Sequence, residues 1–373
     1  MDRRTARAYE RNADRWIASR SPRPRALRRL GRLAANLPNG ALVADLGCGP
    51  GWYAASLARR GLTPVALDLS AGMLTELGRR APDVAGVRAD LAALPFARGS
   101  LAGAVAFNAY QHLPASILPL ALTRLHDVLR PGAPIELTVA DIEVEEPTTA
   151  EGQRGVAERR WQDDAYPGRL FTFYSRERIE RLLAGAGFGS VRVDRGRGRR
   201  FWLWIGAVRE HTLPDYVRPR LELLCCGLNP SLLAAETGVP FGRPGNRFWP
   251  AARRAGLLDR ERDPWHALAR GVGFTDLVKR PTRGAGELAD DEYAAGLERL
   301  ADCARFFRPR ALCFVGLTGW RRVVDRTAVA GWISGGFAGR PAYLMPSTSG
   351  LNAHCDVAGF ARHLRAAMRP SRR

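Results

Sequence analysis

The sequence predicts an α/β protein of two domains, each built on a mainly parallel sheet with helices on both faces. Three observations carry that prediction. Short apolar runs of strand length alternate with helical segments along the whole chain. Two of those runs, 41–46 and 221–226, end in glycine-containing turns, where open α/β sheets take their ligands. The length of 373 residues exceeds what one core usually organises. The expected division is a first domain over 1–209, a linker over 210–219 carrying Pro214 and Pro219, and a second domain over 220–373.

Composition narrows the class. A hydrophobic share of 46% is that of a folded protein. No apolar run approaches the ~20 residues of a membrane span. The opening 1–16 lacks the apolar core of a secretory signal, so a cytoplasmic protein with no membrane partner is expected. None of the six cysteines forms a C-x-x-C pair or has a histidine at zinc-finger spacing; buried thiols and no metal are expected. The net charge is +20, and with 25 basic and 15 acidic residues in 212–373 each half carries +10. Charge therefore permits phosphate binding by either half without selecting one. Lys279 is the only lysine.

The first half reads in order as follows. Residues 1–32 hold eleven arginines against Asp2, Glu10 and Asp14, and the spacing of Tyr9, Trp16 and Ile17 predicts an amphipathic lead-in helix. A strand at 41–46 runs into Asp45-Leu46-Gly47-Cys48-Gly49-Pro50-Gly51, then a helix at 52–60. Glycines at such a turn let the backbone approach a ligand closely. A second strand, 64–67, ends at Asp68, about 20 residues on, where an acid can hold a ribose diol. A third, 86–89, ends at Asp90 and Leu91, and a fourth, 101–107, at Asn108, with His112 beyond. A helix at 117–129 and a strand at 134–140 follow. Trp161, Tyr166, Phe171, Phe173 and Tyr174 mark an aromatic segment, 143–174, expected to cover a second ligand. A helix at 175–185, a strand at 190–194, a basic turn at 195–200 and a strand at 201–208 close the half.

This alternation resembles the class I S-adenosylmethionine-dependent methyltransferases over about residues 10–209, which implies a Rossmann-like sheet. The resemblance implies S-adenosylmethionine as cofactor, with Gly47, Gly49 and Gly51 along its methionine part and Asp45 near its ammonium. Asp68 would hold the ribose, Asp90 and Leu91 the adenine, and Asn108 and His112 would lie on the methyl-donor side. The methyl acceptor is left unknown. The Pro-Pro-aromatic tetrapeptide of amino-methylating nucleic-acid enzymes is replaced by Asn108-Ala109-Tyr110-Gln111, and a Pro-Cys nucleophile is absent.

In the second half the strand at 221–226 breaks at Gly227-Leu228-Asn229-Pro230, turn chemistry at a strand end. Pro240-Phe241 and Asn246-Arg247-Phe248-Trp249 follow in a loop. Further blocks are Gly273-Phe274-Thr275-Asp276-Leu277-Val278 with Arg280-Pro281-Thr282, and Met345-Pro346-Ser347-Thr348-Ser349-Gly350-Leu351-Asn352 after a strand at 342–344. Between them Asp290-Asp291-Glu292 opens a helix with acids on its positive end, and a strand is read at 311–315.

These blocks, in this order, resemble the mismatch-specific uracil/thymine DNA glycosylase family from about Thr212 onward, which implies a three-layer α/β fold of uracil-DNA-glycosylase type. The partner implied is double-stranded DNA containing mismatched uracil or thymine, and the reaction is hydrolysis of the N-glycosidic bond in base-excision repair. Asn229 would position the water. Phe241 would stack on the flipped pyrimidine, with backbone N–H groups around Leu228 and Ser231 on the base and Asn246 near the pocket. Ser347, Ser349, Gly350, Leu351 and Asn352 would form the wedge, Leu351 filling the hole left by the base. Asp276 stands where some relatives have lysine, and Ser347-Thr348 where some have asparagine.

The expected function is a bifunctional fusion of the two activities. The alternatives are an active glycosylase beside a non-catalytic cofactor- or DNA-binding module, or a nucleotide- or RNA-modifying methyltransferase whose partner domain only binds bases.

Overall fold

A computed structural model describes residues 2–144, 155–196 and 201–370. The 145–154 stretch of the aromatic segment and residues 197–200 of the basic turn lie outside the described residues. The chain divides into two units, Met1–Glu210 and His211–Arg373.

The first unit opens with α1 (Arg3–Arg11), α2 (Ala13–Ala18) and α3 (Pro24–Ala35). The expected single lead-in helix is two, because Asn12 leaves helical geometry (φ −119°) and turns its Nδ2 back onto the Ala8 carbonyl. Then follow β1 (Leu42–Leu46), α4 (Trp52–Ala58), β2 (Thr63–Asp68), α5 (Ala71–Arg80), β3 (Ala85–Arg88), β4 (Gly103–Ala106), α6 (Leu118–Val128) and β5 (Pro134–Asp141). β6 (Val156–Arg159), β7 (Phe171–Tyr174), α7 (Arg176–Gly185), β8 (Phe188–Arg195) and β9 (Trp202–Arg209) complete it. The parallel order is β3-β2-β1-β4-β5, with β9 antiparallel along β5 and β8 outside β9. β4 is short, so β7 pairs with the last residues of β5, Ala140 and Asp141, and β6 borders β7. The aromatic segment thus contributes two strands as well as a cover, since all four residues of β7 are buried. Arg29, buried on α3, donates Nε to Glu136 of β5 at 2.5 Å and Nη1 to Asp194 of β8 at 2.8 Å, pinning the helix under the sheet.

The second unit comprises β10 (Leu223–Gly227), α8 (Leu232–Thr237), α9 (Phe248–Arg254), α10 (Pro264–Ala269), β11 (Val272–Asp276), α11 (Asp290–Phe307), β12 (Ala311–Val315), α12 (Thr318–Val323), β13 (Gly331–Trp332), β14 (Ala342–Met345) and α13 (Val357–Ala367). The order is β11-β10-β12-β14-β13, parallel except for β13, whose two residues pair antiparallel with β14. β10, β11 and β12 are buried throughout, as a parallel sheet covered on both faces requires. Residues 211–220 pack within this unit: Tyr216 and Phe274 exchange two backbone hydrogen bonds of 2.9 and 3.0 Å. Since four strands run parallel, the turns after Gly227, Asp276, Val315 and Met345 emerge at one edge. Among the described residues no helix is long and apolar enough to cross a membrane, and no group of three or more His, Cys, Asp or Glu is placed to hold a metal ion.

Candidate active sites in the two units

In the first unit the loop after β1 folds over the end of β2. Gly47 has φ 68°, and a Cβ there would lie 2.5 Å from the Ala109 Cβ, so the close passage of two turns demands glycine. Asp68 closes the loop by accepting from Gly49 N and Ser70 N, both at 2.9 Å, and burial pushes its carboxyl above the usual range. Asp45 accepts from Ala54 N at 2.9 Å; its Oδ1 is buried with no hydrogen bond, and burial raises its pKa to about 7. Asn108, at φ 60°, gives its N–H to Thr138 Oγ1 and leaves Oδ1 buried and unbonded.

These turns open onto a cavity of about 800 Å³, near the top of the ~300–1,000 Å³ usual for small-molecule sites. Gly47, Gly49, Asp68, Asn108 and His112 line it. Asp45, Gly51, Asp90 and Leu91 do not: Gly51 caps α4 in left-handed geometry, Asp90 accepts from Ala92 N at 2.9 Å, and Leu91 and Asp45 are buried behind the loops. His112 donates Nδ1–H to the Leu170 carbonyl at 2.6 Å, so Nε2 is left to accept from the Tyr9 hydroxyl at 2.8 Å. Burial pushes the imidazole down to about 4, so it is neutral at pH 7. Arg169, doubly bonded to Asp164, donates to Tyr9 Oη at 3.1 Å. Trp16 stacks on Trp52 at 5.5 Å beside the glycine loop. Tyr9 and Trp16 are legible in the sequence as a helical stripe; their place over the cavity is not.

In the second unit Asn229 follows β10. Its Nδ2 donates to Thr282 Oγ1 at 2.7 Å, the Arg280 carbonyl at 3.0 Å and the Pro230 carbonyl at 3.3 Å. The amide is pinned by its donors, and among the described residues nothing donates to its Oδ1. The strand-like bonds Leu277 N to Gly227 O and Val278 N to Leu228 O clamp the same turn. Ser231 caps α8 by accepting from Ala234 N, and Asn246 Oδ1 accepts from Phe248 N at the start of α9. Both polar side chains therefore hold helix starts.

Phe241, at φ 53°, lies flat on buried Phe248 with centroids 4.4 Å apart. A Cβ on Gly227 would press into Asp276 Oδ1 and sit 3.4 Å from the Phe241 ring. Glycine at 227 thus lets a carboxylate and an aromatic edge converge two residues before Asn229. Asp276 is 6% exposed, its Oδ2 is buried with no hydrogen bond, and burial raises its pKa to about 6. Behind it Asp215 binds Lys279 at 2.9 Å and Arg299 at 2.8 Å. Burial alone would raise Asp215, but those two cations outweigh it and hold it below the usual range. Lys279 also donates to the Leu213 carbonyl. In the sequence Asp276 stands only as a departure within a motif; the glycine at 227, which alone leaves room for its carboxylate, is the signal for its placement.

The loop after β14 reaches the same edge. Arg247 N donates to Thr348 O at 2.9 Å, and its guanidinium donates to the carbonyls of Ser349 (2.9 Å), Cys355 (2.8 Å) and Asn352. Ser347 accepts from Ser349 N, Ser349 Oγ from Leu351 N, and Asn352 Nδ2 donates back to Ser347 O at 2.8 Å. A Cβ on Gly350 would be 3.1 Å from Gly245 O, so the loop lies against the Phe241–Arg247 segment. Leu351 at its tip is 90% exposed.

Two family models match the chain: one described as a methyltransferase domain, over residues 43–132, and one as the uracil DNA glycosylase superfamily, over residues 214–367. The chain joins a methyltransferase domain to a uracil DNA glycosylase superfamily domain. Solved structures similar to this chain include an S-adenosylmethionine-dependent methyltransferase from Mesorhizobium loti, 23% identical, covering 48% of this chain and 96% of that one, with a TM-score of 0.40. Another is the 1,6-didemethyltoxoflavin-N1-methyltransferase of Burkholderia thailandensis, 22% identical over 55% of this chain and 84% of that one, with a TM-score of 0.41. The cavity belongs to the methyltransferase domain; the Asn229, Phe241 and Asp276 cluster belongs to the glycosylase domain.

Proposed function

We propose that the glycosylase domain hydrolyses the N-glycosidic bond of mismatched uracil or thymine in double-stranded DNA, opening base-excision repair in the cytoplasm. The base leaves the stack to reach the enzyme. Phe241, backed by Phe248, offers a flat ring for the everted pyrimidine. Asn229 Oδ1 accepts from the attacking water. An amide cannot take a proton, so the carboxylate of Asp276 is the group that receives it. The water oxygen bonds to C1′ as the C1′–N1 bond breaks, and the electron pair departs with the base, toward backbone N–H groups of the 228–231 turn. Leu351 enters the stack from the opposite side.

The observation that carries this reading is the pinned amide of Asn229, its donors spent on Thr282, Arg280 and Pro230 and its acceptor free. The test is cleavage of a G·U duplex, read as alkali-sensitive abasic sites. Asn229→Ala should slow cleavage by roughly 10²-fold or more, the usual cost of losing a positioning group. Equal rates for the two proteins would remove Asn229 from the reaction.

For the methyltransferase domain we propose S-adenosylmethionine as cofactor, and the residues present fit it. Asn108 Oδ1, on the cavity wall, is a buried acceptor without a donor, suited to an ammonium held near the glycine loop, while Asp45 stands behind that loop. The carboxylate of Asp68, on the cavity wall, has lone pairs left for a diol. When bound, the cofactor supplies an electrophilic methyl group. Trp16 and Trp52 roof the loop and exclude water, and the neutral His112, locked by Leu170, keeps its Nε2 lone pair towards Tyr9.

A further inference from the structure

The cavity is larger than its glycine-loop end. Beyond His112 its wall is aromatic. Trp161 lies 4.7 Å from Phe171, and Phe201 lies 4.8 Å from Trp202, which opens β9. Arg23 lines the same space with its guanidinium over the Trp202 ring, 4.9 Å from the centroid. It is half-buried, and burial pushes its pKa down; the Tyr53 hydroxyl acts against that shift, and a second cation, Arg20, also on the wall, adds to it. Among the described residues no carboxylate pairs with Arg23. Gln111 is 1% exposed and lines the cavity; its Oε1 is buried, and among the described residues its side chain makes no hydrogen bond.

Each feature asks for a complementary group. A half-buried cation beside another cation favours an anion, because an unpaired charge is costly to bury. A primary amide sets one acceptor next to two donors, and either orientation of the amide presents the same pair. It matches a planar edge on which an N–H adjoins a carbonyl. Aromatic walls accept a flat ring by stacking. An aliphatic acceptor would leave Gln111 unsatisfied and the rings without a partner face.

We propose that this chamber holds the methyl acceptor, and that the acceptor is a flat heteroaromatic molecule with an N–H beside a carbonyl and an anionic substituent: the chemistry of a uracil- or guanine-type nucleotide. The proposal rests on placing the cofactor at the glycine-loop end.

The test is tryptophan-fluorescence titration of the full-length protein saturated with S-adenosylhomocysteine; Trp161 and Trp202 line the chamber, and the Arg23→Gln comparison separates their response from that of the other tryptophans. The probes are uridine 5′-monophosphate and guanosine 5′-monophosphate, with uridine, guanosine and 3-methyluridine 5′-monophosphate as controls. At least one nucleotide should bind saturably. Arg23→Gln should weaken it about tenfold or more while the matching nucleoside changes little, the loss expected of a hydrogen bond to a charged group. If the uracil nucleotide is the ligand, Gln111→Leu should weaken it and leave the poorer binding of the N3-methylated analogue unchanged; if the guanine nucleotide, Gln111→Leu should weaken that one. Retained S-adenosylhomocysteine binding certifies that each variant is folded. Loaded protein that binds neither nucleotide would overturn this proposal alone, as would equal losses for nucleotide and nucleoside in Arg23→Gln. Protein that does not bind S-adenosylhomocysteine at all would overturn the cofactor reading and this proposal with it.

Discussion

The guanidinium of Arg247 is bonded to the Ser349 carbonyl at 2.9 Å, so the segment that presents Phe241 also holds the loop that presents Leu351. The same side chain reaches the carbonyls of Cys355 and Asn352. The ring and the 347–352 loop are therefore set by one fork of donors.

Arg247→Lys tests that coupling. A lysine keeps the charge but cannot span three carbonyls. Stability should fall by about 1.5–3 kcal/mol, the range for hydrogen bonds to a charged group. Cleavage of a G·U duplex should fall further than cleavage of single-stranded uracil, where no stack must be opened. Equal losses on both substrates would show that Arg247 only supports the fold.

Leu351→Ala separates insertion from folding. The side chain is 90% exposed, so its truncation should change stability by less than about 0.5 kcal/mol. Duplex cleavage should drop roughly tenfold if the side chain fills the gap in the stack. Unchanged duplex cleavage would leave the wedge role without support.

Asp276 makes the glycosylase domain pH-sensitive in a defined direction. Its folded pKa is about 6, against an ordinary value of 3.8, so the fold prefers the protonated form. The corresponding stabilisation is complete below pH 3.8 and is lost as pH rises through 6, a total of roughly 3 kcal/mol. Asp276→Asn should therefore be as stable as the parent at pH 4 and more stable at pH 7.5, read by denaturant unfolding of the full chain. Cleavage should be weak at every pH, whereas the parent's rises through pH 6. A variant that keeps the parent's rise would place the titrating group elsewhere.

Asp68→Asn should weaken S-adenosylhomocysteine binding by about 10–100-fold in calorimetry, since a charge-assisted hydrogen bond is replaced. A 2′-deoxyribose analogue should bind the parent more weakly and the variant no worse than the natural ribose. If the analogue loses equally in both, the ribose hydroxyls are held by another residue.

What could be read from the sequence follows from how local each feature is. The Gly47–Asp68 turn is legible because strand, glycine loop and acid lie within one βαβ unit. The Asn229 turn is legible for the same reason. The chamber that Gln111, Arg23, Trp161 and Trp202 share is not: it gathers from a helical lead-in, the turn after β4, a segment before β7 and the start of β9. No periodicity links positions so far apart. Asp276 is intermediate, since its motif is visible but its burial depends on β11 aligning with Gly227 of β10. The strands β6 and β7 escape sequence reasoning because a run of aromatics reads equally as cover or as core.

Lys279, the sole lysine, spends its ammonium on Asp215 and the Leu213 carbonyl beneath the glycosylase edge. Surface cation chemistry in this protein is thus guanidinium chemistry. Acylating reagents and crosslinkers that seek side-chain amines will find their single target withdrawn into an ion pair, while dicarbonyl reagents that seek arginine will find many. Footprinting the protein on nucleic acid by arginine protection should therefore be informative where amine labelling is nearly silent.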